Sequence, residues 1–267
     1  MPAVGSRMNL VVPPHQAETL IVGGIPTVRL TRAELAERMV QDCLRARSGE
    51  VALPRLVFSS NGATIAYYHG DTAIRQLFDQ ADLIDADGMP LVFATRLFCA
   101  EPLQQRVATT DFIHDAAEAA IRDGLRFYFL GSRPDVARHA AETLGRLHPG
   151  LKIVGTRDGF FKREDEAQIC REIVEAGTDV VWLGLGTPLQ ERFAVANRER
   201  LAGVGWIKTC GGLFDHYNGT VARAPQWVQD SGFEWLFRAM QEPRRLGWRY
   251  LSTSPRALYH LLTNTRG

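Results

Sequence analysis

From residue 126 onward the chain alternates short apolar runs with longer amphipathic ones, and this alternation constrains its fold more than any other feature. "RFYFLG" (126–131), "LKIVG", "DVVWLGLG" (179–186) and "VGWIKTCGG" read as strands. Between them, "RPDVARHAAETLGRLHPG", "REDEAQICREIVEAG" and "PLQERFAVANRERL" read as helices, the first with Pro134 near its first turn. Several strands are apolar throughout. Such strands are covered on both faces, so the pattern predicts an α/β protein with a mostly parallel sheet between two helical layers.

The first half fits the same plan. "TRAELAERMVQDCLRA" (31–46) predicts a helix with Thr31 as cap and Glu34 at the reciprocal position of a capping box. A strand "RLVFSSN" (55–61), one helix through "ATIAYYHGDTAIRQLFDQ", a strand "ADLIDA", and helices "PLVFATRLF" and "TDFIHDAAEAAIRDG" (110–124) follow. Residues 1–20 read as a loose lead. After about Val221 the sequence turns helical and rich in Trp and Arg, which sets a boundary near residue 220 and a C-terminal appendage over 221–267.

Charge separates these parts. The chain carries +1 overall, which gives no global field for nucleic acid. From Leu236 onward there are six arginines, no lysine and one acid, so the tail carries +5 and the remainder −4. Trp235, Leu236, Phe237 and Met240 beside Arg238, Arg244 and Arg245 suggest an amphipathic helix lying on an anionic surface. A helix packed on the domain with its arginines in solvent is the plain alternative. Four scattered cysteines without a CxxC argue against a disulfide framework or zinc site and fit a reducing cytoplasm. No apolar run reaches the ~18 residues of a spanning helix, and the N-terminus lacks a signal-peptide apolar region.

Ligands of open parallel sheets collect at the carboxyl ends of the strands. The tips here are "SSN" (59–61), "DADG" (85–88), "LGSRPD" (130–135), "GLGTPLQE" (184–191) and "CGGLFD" (210–215), several with glycine before a helix, a geometry that favours phosphate. No GxGxxG is present, because Leu189 stands where the third glycine belongs; this disfavours a dinucleotide oxidoreductase. Asp87 in "DADG" is a metal clamp with Asp85, a catalytic base, a ribose anchor or a turn residue. Ser59 and Asn61 either orient a ligand or cap the next helix. Arg106 is either an anion ligand or a surface arginine.

In order along the chain, "SSNGATIAYY", "ADLIDADGMPLVFATRLF", "RVATTDF", "FYFLGSRPDVARHAAETL", "RDGFF", "VVWLGLGTPLQERF" and "CGGLFDHYNGTVARAPQWVQDSGFEWLFRAMQEPRRLGWRYL" resemble the WecG/TagA/CpsF glycosyltransferase family (glycosyltransferase family 26). The resemblance runs from about Val57 to Leu251. It implies a Rossmann-like domain over 21–220 and a C-terminal appendage that aids membrane association. The implied reaction is metal-independent, inverting transfer from a UDP-sugar to a polyprenyl-diphosphate-linked sugar, in cell-surface or exopolysaccharide synthesis, at the inner face of the cytoplasmic membrane. No cofactor is implied, and self-association is left open.

By motif, the resemblance implies Asp87 as the general base and puts Ser59 and Asn61 on the "T-x-N" tip. Arg106, Gln190 and Asp215 match donor-binding motif positions, and Arg238, Arg244 and Arg245 match arginines of the tail. Helix starts after Gly131 and Gly186 are expected to cradle the diphosphate. Ser59 stands where Thr is usual, Thr109 where Gly is common, and Asp85 matches no position of the family. A metal-dependent transferase using "DAD" and a non-catalytic nucleotide-binding protein are the competing readings.

Overall fold

The computed structural model describes residues 18–219, 223–241, 243 and 247–267. Most of the expected loose lead, together with Arg244 and Arg245, lies outside the described residues. The chain enters through an antiparallel hairpin of β1 (Thr19–Val22) and β2 (Ile25–Val28), turning at Gly23 and Gly24, both at positive φ. The loose-lead reading ran past the start of this hairpin. Its signal was present in "TLIVGGIPTV", two apolar runs joined by Gly-Gly.

A six-stranded sheet forms the centre. It comprises β3 (Arg55–Ser60), β4 (Leu83–Ala86), β5 (Arg126–Gly131), β6 (Lys152–Arg157), β7 (Val180–Gly184) and β8 (Trp206–Thr209). Their spatial order is β4-β3-β8-β7-β5-β6, and every pairing is parallel. The expected parallel α/β architecture is therefore observed. β4, β7 and β8 are buried along their whole length; β7 reads as an unbroken apolar run for that reason, while β4 and β8 each carry one buried charge, Asp85 and Lys208. β6 is an edge strand and keeps much of its length in partial contact with solvent.

Successive strand residues point to opposite faces. Val57, Phe127, Phe129, Trp182 and Trp206 face one layer, built from α1 (Arg32–Arg47), α5 (Thr109–Asp123), α6 (Val136–Leu147) and α9 (Leu213–Tyr217). Leu56, Phe58, Tyr128, Leu130 and Leu183 face the other, built from α2 (Gly62–Gly70), α3 (Thr72–Phe78), α4 (Met89–Phe98), α7 (Glu166–Glu175) and α8 (Leu189–Ala196). The hairpin residues Leu20, Val22 and Ile25 close this second core.

Two local expectations meet different outcomes. The capping box at α1 is formed: the Thr31 hydroxyl accepts from Glu34 N at 3.2 Å, and the Glu34 carboxylate accepts from Thr31 N at 2.8 Å. The single helix expected through residues 63–80 is instead two, α2 and α3. Asp71 leaves helical geometry with ψ 113°, and its carboxylate accepts from Ala73 N and Ile74 N, so one residue ends the first helix and caps the second.

The elements described after residue 222 are helices: α10 (Gln226–Asp230), α11 (Glu234–Gln241) and α12 (Trp248–Thr263). α12 lies along α2 and sends Leu261 into the core beside the hairpin. Beyond it, Thr265 Oγ1 accepts from Gly23 N at 3.0 Å, and Arg266 bridges Ile21 of β1. No described helix is long and apolar enough to cross a membrane.

Candidate active site

A cleft of 1670 Å³ opens at the carboxyl edge of the sheet, where β3, β4, β5, β7 and β8 end. Most expected site residues that are described converge on it: Ser59, Asn61, Asp87, Arg106, Gly186, Gln190, Asp215 and Arg238. Gly131, expected in the site, is not among the residues that line it, although its neighbour Ser132 is. α10, α11 and α12 roof the opening through Gln229, Phe233, Glu234, Arg238, Arg249 and Leu258.

The three carboxylates of "ADLIDADG" have three different fates. Asp82, at the amino end of β4, accepts from Leu56 N at 2.7 Å and pairs with Arg198 at 2.7 Å; it is structural. Asp85 points into the core and pairs with Lys208 at 2.8 Å, both side chains almost completely buried. Asp87 lies one residue past β4, anchored by its N–H to Ser60 O at 2.7 Å, with its side chain facing the cleft. Burial, then the charges of Asp85 and Glu234, push the Asp87 carboxyl up to about 7, against Lys208 and Arg106. A carboxylate so poised exchanges a proton near neutral pH.

Asp85 and Asp87 therefore do not form a two-carboxylate clamp. The Asp85 carboxylate is paired with the Lys208 ammonium inside the core, while Asp87 lines the cleft. Among the described residues, no group of three acidic, His or Cys side chains is arranged to hold a metal ion.

Ser59 lies on the cleft floor. Its N–H donates to Thr209 Oγ1 at 3.1 Å, its hydroxyl accepts from Lys208 Nζ at 2.6 Å, and Thr109 Oγ1 lies 3.3 Å away. Asn61 caps α2, with its Oδ1 accepting from Thr64 N at 3.1 Å, and also lines the cleft. Asp215 is held at the wall by the Ser132 hydroxyl at 2.9 Å. The Gln190 side chain is turned inward: its oxygen accepts from Gly211 N at 3.1 Å and its nitrogen donates to buried Glu191 at 2.9 Å. It ties the β7 turn to the β8 turn.

The glycine turns differ in kind. A Cβ on Gly131 would stand 2.4 Å from the carbonyl of Gly184, its register partner on β7. Gly186 has φ +77° and open space beside it, immediately before α8. The helix after Gly131 begins only at Val136, and Ser132 and Asp135 adopt positive φ on the way. The helix expected to carry Pro134 near its first turn therefore starts after it.

Arg106 is neither free nor on the surface. Its guanidinium donates to Glu234 at 2.7 Å, Gln229 at 2.5 Å and Asp111 at 3.4 Å, clasping the sheet domain to α10 and α11. Arg106→Ala strands a partly buried Glu234, so amide protection in α10 and α11 is expected to fall by ~30-fold, roughly 2 kcal/mol, by hydrogen exchange. Unchanged exchange there would show that the clasp holds nothing. Arg238 and Arg249 supply the positive charge of the roof; Arg249 stacks on Tyr250 at 5.1 Å.

Lys208 and Arg249 did not stand out as site residues in sequence. The signal for Lys208 was one charged residue inside the apolar run "WIKTC". Arg249 was one of six tail arginines that nothing in sequence distinguishes.

A doubly covered parallel sheet with one large cleft at its carboxyl edge defines a Rossmann-like α/β protein whose ligand site is built by strand-end turns. Residues 20–267 match the Glycosyl transferase WecG/TagA/CpsF family, and the chain belongs to that family. It is thus a member of a glycosyltransferase family, whose chemistry moves a sugar from a nucleotide-sugar donor to an acceptor and releases the nucleotide.

Proposed function

We propose that this chain transfers a sugar from a UDP-sugar to a polyprenyl-diphosphate-linked sugar, with inversion and without a metal ion, in surface or exopolysaccharide synthesis. The observation that carries the reading is Asp87: a cleft carboxylate with a proton affinity near neutrality, beside a volume larger than the ~300–1,000 Å³ typical of small-ligand pockets. Such a volume suits two substrates at once.

In the proposed step Asp87 removes the proton from an acceptor hydroxyl. The oxygen forms a bond to C1 of the donor sugar as the bond from C1 to the UDP oxygen breaks on the opposite side, and that electron pair leaves with UDP. Arg238 and Arg249 offset the charge gathering on the diphosphate. The N–H groups of Thr187 and Leu189, on either side of Pro188, supply further donors. Ser59, Asn61 and Asp215 hold hydroxyls of the sugars, while Gln190 and Arg106 act by fixing the loops that carry these groups. Arg244 and Arg245 are assigned to the same electrostatic role from sequence alone.

Peripheral attachment at the inner face of the cytoplasmic membrane is part of the proposal. Its support is the apolar set Trp248, Leu251, Leu258 and Tyr259, all exposed on α12 beside Arg249 and Arg256. The test is a panel of UDP-sugars with a polyprenyl-diphosphate-sugar acceptor, with and without EDTA. Product from one donor, unchanged by EDTA and of inverted anomeric configuration, is expected. Loss of product with EDTA, restored by Mg²⁺, would favour the metal-dependent reading; no product from any donor despite UDP binding would favour a non-catalytic nucleotide-binding protein.

A further inference from the structure

The fully buried ion pair between β4 and β8 has no part in the chemistry above. The Asp85 and Lys208 side chains are 1% and 0% exposed, and their charges stand 2.8 Å apart. An ion pair so deep is seldom retained for stability, because an apolar pair of similar size would serve as well or better. Its surroundings suggest another use. The Lys208 ammonium donates to Ser59 Oγ at 2.6 Å and to Thr209 O at 3.2 Å, both residues of the cleft floor. Asp85 is the register partner of Ser59 and lies two residues from Asp87.

We propose that Asp85 and Lys208 are a positioning pair: from beneath the floor they fix the Ser59 hydroxyl and set the electrostatic background in which Asp87 acts. The proposal rests on the reading of Asp87 as the base. Neither residue touches the cleft volume, so neither is itself catalytic. The charged groups facing Asp87 are Asp85 of β4, Lys208 of β8, Glu234 of α11 and Arg106 before α5. Lys208 also acts on Glu191 of α8 and on the Cys210 thiol, both pushed up by burial. Asp85 and Lys208 pull Asp87 in opposite directions, so removing one or the other gives shifts of opposite sign.

The test is the titration of Asp87 by carboxyl ¹³C NMR, assigned by its loss in Asp87→Asn, alongside the pH profile of kcat/KM. Asp85→Asn is expected to lower the midpoint by about one pH unit and Lys208→Met to raise it by about as much. The double variant Asp85→Asn/Lys208→Met should return close to the native midpoint. With Ser59 no longer held, its kcat should fall about tenfold. The double variant also keeps the test open if Lys208→Met alone, which strands a buried charge, fails to fold. Folded variants with an unmoved NMR midpoint and native kcat would overturn the pairing role, as would failure of all three to fold. An NMR midpoint that moves while the activity profile stays fixed would instead overturn Asp87 as the base and leave the pair standing.

Discussion

Asp87→Asn is expected to abolish transfer while leaving UDP binding intact and making the protein more stable. Loss of a general base typically costs 10²–10⁴-fold in rate, and Asn keeps the size and the backbone anchor of the residue it replaces. The stability gain follows from linkage. The folded-state value lies near 7 against an ordinary 3.8, so between those pH values the folded chain binds the extra proton. Stability therefore falls as pH rises through that window and stays reduced above it. The ceiling on this cost is about 4 kcal/mol; water at the cleft mouth brings it to about 2 kcal/mol. Asn never ionises, so at pH 8 the variant should melt about 5 °C higher than the native protein, and at pH 4 the two should coincide. An Asp87→Asn protein with native turnover, or with no pH-dependent change in Tm, would show that this carboxyl is not the poised group. Through the same titration, kcat/KM of the native enzyme should rise with pH and level off above about 7.

The second large effect is structural. Gly131→Ala places a methyl group 2.4 Å from the Gly184 carbonyl, backbone against backbone, at φ +142°. Neither partner has a flexible side chain to move aside, and Gly159 closes the third side, with its own added Cβ 3.3 Å from Gly131 Cα. β5 and β7 would have to separate at the point where Ser132 N donates to Gly184 O at 2.9 Å. A loss of at least ~3 kcal/mol is expected, seen as a Tm drop of about 10 °C or as failure to fold. Gly186→Ala is the control. It shares a positive φ, +77°, but faces open space, so only the backbone term of ~1–2 kcal/mol applies. Equal losses in the two variants would contradict the close-packing account. Gly131 thus reads as a residue required by the sheet, and Gly186 as one required by the turn before α8.

Where sequence reading succeeded and where it stopped can be followed in single residues. Thr31 and Glu34 announced a helix start because a capping box uses only neighbours within one turn. Asp71 was passed over because the apolar residues on either side continued the helical period, although Gly70-Asp71 carries the stop-and-cap signal that the structure uses. The convergence of Ser59, Asp87, Asp215 and Arg238 followed from their places at strand tips or on the tail. Their partners did not: Arg106 meets Glu234 128 positions away, and Lys208 meets Ser59 149 positions away. The resemblance singled out Asp87, but nothing in the sequence showed where the side chains of Asp82, Asp85 and Asp87 would lie. Only the sheet decides that one pairs at its amino end, one is buried against an ammonium, and one opens into the cleft.

By itself, the sequence determined the layers of this protein and the edge where its site lies. Apolar periodicity and strand-end glycines are local properties, and local sterics and solvation enforce them. Tertiary structure alone decided which charges are neutralised and which remain poised, because the energy of a buried charge depends on what folds against it from distant segments. That is why the separate surroundings of Asp85 and Asp87 in "DADG" appear only with β8 laid beside β3 and α11 over the cleft.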